Sequence, residues 1–230
     1  MIPRHTARGL RPIHILALIT LVAVIVAGII CRQAVLRLLP LCFSVLIMLL
    51  NSGASRYGYL AGGLNSILYG FSYLHYGLYG SMFQAFLVSC PIQLVTFILW
   101  SRRAYKSSTV FRRMSNKLRV LSAVGSVAAY AGYLAFSLNI GASHPYIDSA
   151  IFISGIVLPI LSLCSFYEYA YIQVFTSPLT TVLYAVMLPE SPDILVYLIF
   201  SIYSYICVIR QLVSVRRLRL EQAGDSRLSV

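Results

Sequence analysis

Charge is what this sequence has least of. Of its 230 residues 10% are charged and 59% hydrophobic, with a mean hydropathy of +0.83. A soluble globule of this length could not cover itself with so little polar sequence, so the bilayer must serve as solvent. Acidic groups are scarcer still, six against 18 Lys and Arg, for a net charge of +12. Lysine occurs only at Lys106 and Lys117, and neither G-x-x-x-x-G-K-[ST] nor H-E-x-x-H is present, so nothing equips the chain for ATP hydrolysis or zinc-dependent proteolysis. The cysteines, Cys31, Cys42, Cys90, Cys164 and Cys207, form no C-x-x-C pair and read as small apolar packing residues. His75 is the one histidine well inside an apolar stretch. One such histidine and one carboxylate are too few for an activated nucleophile or a metal set, so no enzyme, metal or cofactor is expected.

Apolar runs, by contrast, are plentiful. About 20 residues cross a hydrocarbon core of about 30 Å. Suitable stretches lie near 13–31, 34–50, 58–77, 80–100, 119–140, 149–166, 167–188 and 194–213. These predict an all-α polytopic membrane protein of eight helices. The sixth and seventh runs have no charged loop between them, and a single long helix from Ile151 to Phe175, giving seven spans, also fits.

Charge placement arbitrates. With Arg4, Arg8 and Arg11 in the cytoplasm, eight crossings put Arg56, the basic stretch from Arg102 to Arg119, and the tail Arg216, Arg217 and Arg219 on that same side. Arg32 and Arg37 fall outside, beside loops that carry Asp148, Glu190 and Asp193. Seven crossings would expel the basic tail. The expected location is therefore a plasma (inner) membrane with both termini cytoplasmic, and the positive charge points to anionic lipid headgroups as partner rather than nucleic acid. The first run is longer than a signal-peptide core and no A-x-A site follows it, so it reads as a retained helix.

Polar residues within the runs mark a candidate site. In the third, Gly58, Gly62, Asn65, Tyr69, Ser72 or Tyr73, and Tyr76 recur at helical spacing and share one face. Small residues there admit a close neighbour, and Asn65 requires a hydrogen-bond partner, on another helix or in a cavity. In the seventh run, Phe166, Glu168, Tyr169, Tyr171 and Gln173 cluster before Pro178. Glu168 is the one carboxylate within an apolar stretch: it is either a site residue or a surface group paired with an arginine of the basic loop. Pro178 frees backbone carbonyls. The fourth run carries Gln84 and Gln93, which point about half a circle apart around the helix unless Pro91 kinks it. Tyr197, Ser201, Ser204 and Tyr205 share a face of the last. Such aromatic, amide and hydroxyl groups suit a flat, polar, uncharged ring bearing hydroxyls.

A faint internal repeat adds to this: Leu68-Tyr69, Tyr79 and Trp100-Ser-Arg-Arg are echoed by Leu183-Tyr184, Tyr197 and Arg216-Arg217. Three spans, one linker and three more give parallel repeats, with a site expected near the midplane between them. The boundaries read as 1–33 for the N-terminus and an extra helix, 34–100 for repeat 1, 101–140 for the basic loop and linker, 141–213 for repeat 2 and 214–230 for a basic tail.

The stretch from Asn51 through Arg56, Gly58, Gly62 and Asn65 to Tyr69, followed by Leu78-Tyr79, Gln84 and Trp100, resembles the PnuC family of nicotinamide riboside transporters, as does the region from Asp148 through Glu168 to Tyr197. The resemblance covers 34–213. It implies a three-plus-one-plus-three, SWEET-like helix plan, facilitated diffusion of a vitamin-like nucleoside by alternating access, and no ion coupling. The family's W-x-x-W-x-x-x-N signature is absent, since Trp100 is the single Trp. Matching by shape gives Phe166, Tyr169 and Gln173, while anchoring on Glu168 gives Ala170, Gln173 and Ser177. Thiamine, riboflavin and deoxynucleosides thus stand beside nicotinamide riboside as substrates. The expected substrate site is Asn65, Tyr69, Gln84, Tyr169 and Gln173, with Phe166 and Glu168 next to it. Homo-oligomerisation is compatible with the sequence, and a non-transporting scaffold or sensor is the alternative.

Overall fold

The structure is a computed structural model that describes residues 11–75, 82–139, 141 and 144–228. Eight long helices account for nearly all of it: α1 (Arg11–Ile30), α2 (Val35–Ser52), α3 (Tyr57–His75), α4 (Cys90–Arg102), α5 (Asn116–Asn139), α6 (Pro145–Leu163), α7 (Glu168–Met187) and α8 (Leu195–Leu228). A π-helical segment, Gln84–Ser89, runs directly into α4. Seven helices among the described residues are long and apolar enough to cross a membrane. The eighth, α3, has the length at 19 residues but carries too many Gly, Ser, Asn and Tyr to qualify on hydropathy. It can nonetheless lie in the bundle because α2 and α4 pack along it and shelter those groups.

Six helices close into a ring. Neighbours pack in the order α2, α3, α4, α6, α7, α8, and α8 returns to α2. α1 lies outside against α2 and α8, and α5 lies outside against α6.

The sixth and seventh runs are two helices, which settles the choice between one long helix and two. The chain turns at Cys164–Tyr167, where Ser165 adopts a left-handed φ of 59°. Ser165 accepts the Arg112 amide at 2.9 Å, and Arg112 in turn accepts the Tyr167 amide at 3.1 Å. The basic stretch from Arg102 thus clasps the α6–α7 corner.

At this basic end the all-α expectation needs a correction. Ala104–Tyr105 and Ser108–Thr109 form a short antiparallel hairpin, β1 and β2. The last helix is also longer than its apolar run, because α8 continues through the tail to Leu228. At 1.5 Å per residue its 34 residues span about 50 Å, well beyond a hydrocarbon core. The projecting turns hold the hairpin: Gln222 bonds the Thr109 carbonyl at 2.8 Å and the Phe111 amide at 3.1 Å, and Glu221 pairs with Lys106 at 2.5 Å. Beneath them a core forms around Trp100, Phe111, Met114, Tyr169 and Val215. At the opposite end Arg37 pairs with Asp193 at 3.5 Å, and Gln33 donates to the Asp193 carbonyl at 2.6 Å.

Candidate functional site

Inside the ring, toward its basic end, lies a cavity of about 160 Å³. Each helix of the ring contributes to its wall: Asn51 from α2, Tyr59 from α3, Gln93 and Thr96 from α4, Ser162 from α6, Tyr169 and Gln173 from α7, and Gln211 from α8, with Ile92, Leu158 and Pro159 as apolar lining. All of these side chains are uncharged.

A chain of hydrogen bonds orders the floor. The Trp100 indole N–H donates to the Ser162 carbonyl at 2.9 Å, and the Ser162 hydroxyl bonds the Tyr59 hydroxyl. On the same wall Gln211 Nε2 donates to the Tyr169 hydroxyl at 3.2 Å. Trp100 is fully buried and packs edge-on against both rings, with centroids 4.7 Å from Tyr59 and 6.3 Å from Tyr169. The single tryptophan therefore supports the cavity from beneath and does not line it.

The glycines of α3 shape the wall. A Cβ on Gly62 would overlap Gln93 Oε1, and one on Gly58 would overlap Asn51 Oδ1. The two notches thus hold amide heads from α4 and α2, whereas close approach of a neighbouring backbone is what their spacing predicts. Gln93 Nε2 also donates to Ser66 Oγ at 3.2 Å.

Tyr169 and Gln173, both expected, are brought together here. The other expected residues sit elsewhere. Asn65 Nδ2 donates to the Pro40 carbonyl and to Ser44 Oγ, both at 3.0 Å, and Tyr69 bonds Ser44 at 3.3 Å. These belong to a second polar layer farther from the basic end, where Tyr69 stacks with Tyr73 at 5.9 Å and Tyr184 meets Tyr197 at 5.9 Å. Phe166 packs against the Trp100 core. Glu168 pairs with Arg119 at 2.6 Å and accepts the Met114 amide at 3.1 Å, which matches the surface-pair reading and places it outside the cavity. The Gln84 side chain lies outside the described residues. The π-helical segment Gln84–Ser89 changes the angular phase of its helix, so a straight-helix count from Gln84 does not carry to Gln93.

Sequence reasoning missed Tyr59, Ser162 and Gln211 as site residues. Tyr59 has the look of an interfacial tyrosine, and Ser162 and Gln211 sit in runs whose apolar neighbours mask them. Gln93 was visible, but on the discarded face. The expectation of a midplane site is also displaced toward the basic end, since Tyr59 and Tyr169 each stand within the first turn of their helices.

A ring of membrane-length helices around an uncharged polar cavity defines a multi-pass membrane protein. The chain belongs to the nicotinamide mononucleotide transporter family, whose model matches residues 34–210. It is 25% identical over 162 residues to the nicotinamide riboside transporter PnuC of Neisseria mucosa, a match that covers 64% of this chain and 62% of that protein. The chain thus spans under two thirds of that relative's length. Its fold matches a crystal structure of the vitamin B3 transporter PnuC with a TM-score of 0.72, at 18% identity, over 92% of this chain and 93% of the other. α1 lies wholly before the family match.

Proposed function

We propose that this protein carries nicotinamide riboside, or a closely related vitamin nucleoside, across a plasma membrane by facilitated diffusion, with both termini in the cytoplasm. The observation that carries this reading is the cavity: aromatic faces, amides and hydroxyls converge from six helices, and no charged side chain lines it among the described residues. A phosphate dianion in such a space would lack a counter-charge and cost several kcal/mol, which favours a riboside over a mononucleotide. A pyridinium ring suits the tyrosine faces. Tyr169 and Gln173 are the central contacts, with Tyr59, Gln93 and Gln211. Asn65 and Tyr69 stand on the path toward the other side.

The order of the ring supports a three-plus-one-plus-three plan. Helices α2–α4 and α6–α8 form equivalent triplets, the first helix of each packs on the last of the other, and α5 stands apart as the linker. The cavity is small beside the 300–1,000 Å³ or so of drug-sized sites, so the triplets must rock apart to admit and release a nucleoside. The test is thermal unfolding of the purified protein with nicotinamide riboside, nicotinamide mononucleotide, thiamine and riboflavin, followed by liposome uptake. A ligand at about 100 times its dissociation constant adds about 2.7 kcal/mol. Stabilisation by the riboside with matching uptake is expected. No shift with the riboside would sink the assignment, and normal assembly without flux would restore the scaffold alternative.

A further inference from the structure

Three amide heads line the cavity, and they are not equivalent. Gln93 has Oε1 seated at Gly62 and Nε2 bonded to Ser66, and Asn51 has Oδ1, also buried without a hydrogen-bond partner among the described residues, seated against Gly58. Both heads are drawn into the α3 wall. Gln211 differs. Its residue is 4% exposed, its Nε2 is committed to the Tyr169 hydroxyl, and its Oε1 is buried with no partner among the described residues. A buried carbonyl oxygen left without a donor forfeits about 1–3 kcal/mol, so an orphan at a cavity wall is a recognition element when something else supplies the donor.

We infer that Gln211 is a specificity-determining residue of the cavity: its carbonyl oxygen accepts a hydrogen bond from an N–H or O–H of the solute, while its amide nitrogen holds Tyr169 in place. This deepens the transport reading above and rests on it. The solute class is an uncharged-edged polar molecule that presents a donor, a primary carboxamide or a sugar hydroxyl, toward α8. Sites built on a buried polar group reject analogues that lack its complement far more strongly than apolar pockets reject a missing methylene.

Calorimetry separates the inference from the reading beneath it. Nicotinamide riboside is compared with its 2′-deoxy and N,N-dimethylcarboxamide analogues, each lacking one kind of donor, on the wild-type protein and on Gln211→Met, which keeps the length and packing of the side chain. The wild type should bind the riboside at least tenfold tighter than one analogue, and Gln211→Met should reduce that preference below threefold. Gln211→Glu, which retains an acceptor oxygen, should keep it. If Gln211→Met fails to fold, Gln211→Asn withdraws the carbonyl by one methylene and serves the same comparison. A preference that survives Gln211→Met, or affinities for all three ligands that fall by one common factor, overturns the inference and leaves Gln211 as a support for Tyr169. Absence of riboside binding by the wild type overturns the transport reading itself.

Discussion

Two polar layers cross the same six-helix ring, and they do different work. In the layer farther from the basic end, Ser72 answers a defect of α2, and Asn65, Ser44 and Tyr69 bond one another beside it. Pro40 has no N–H to give the Leu36 carbonyl, and Ser72 supplies that bond at 2.7 Å, while Asn65 and Ser44 both donate to the Pro40 carbonyl. Ser72 thus satisfies a carbonyl that Pro40 leaves open, in a medium with no water to do so. In the cavity layer the polar groups answer no such bond. Tyr59, Tyr169, Gln173 and Gln211 converge from three helices on open space, and Gln211 keeps an unused acceptor. Polarity within an apolar span is therefore ambiguous until its partners are known.

The sharpest way to break this contrast is at Trp100. Trp100→Ala removes the fully buried ring under both tyrosines and should cost about 3–5 kcal/mol, read as a large fall in the unfolding midpoint. A small change would mean that the cavity floor does not depend on it. Next comes Gly62→Ala, whose Cβ evicts Gln93 from its notch. Riboside affinity should fall about tenfold, or about 1.4 kcal/mol. Gly63→Ala is the control, because its Cβ meets Leu94 Cδ2 at 2.8 Å instead of a cavity residue, and it should lower stability while sparing affinity.

The two layers themselves separate with Gln173→Ala and Asn65→Ala. The first should weaken riboside binding several-fold with little effect on unfolding. The second should leave the dissociation constant within about twofold and lower stability by about 1 kcal/mol, the scale of interhelical hydrogen bonds in membranes. Equal effects on binding would merge the layers into one site.

The smallest expected effect lies outside both. Tyr105 in β1 donates to Asp225 at 2.6 Å, and that carboxylate pushes its phenol up to about 12. A folded value above the ordinary one means the contact helps at pH 10 and below and is lost as pH rises toward 12. In an alkaline titration of stability, Tyr105→Phe should lie slightly below the wild type at pH 10 and below and converge with it as pH rises toward 12.

Much of this was legible in residue order. The eight runs and the basic loops gathered at one end follow from length, charge and spacing, and the Tyr169–Gln173 pair from the polar cluster before Pro178 and the family resemblance. The break between α6 and α7 was legible only through the charge count, because Ser165 carries no turn signature of its own and is bent by the backbone of Arg112, 53 positions earlier. Gln93 was misplaced because a straight-helix count cannot see a π-helical segment.

What residue order determined by itself is the solvent and the crossings. Hydropathy over about 20 residues and the asymmetry of Arg and Lys are one-dimensional quantities, and bilayer thickness converts them directly into spans. Only the tertiary structure decided which polar groups are spent on one another and which are left for a solute. That division depends on where six helices place their side chains across the ring, and on two glycines of α3 that owe their meaning to Asn51 and Gln93 on its neighbours.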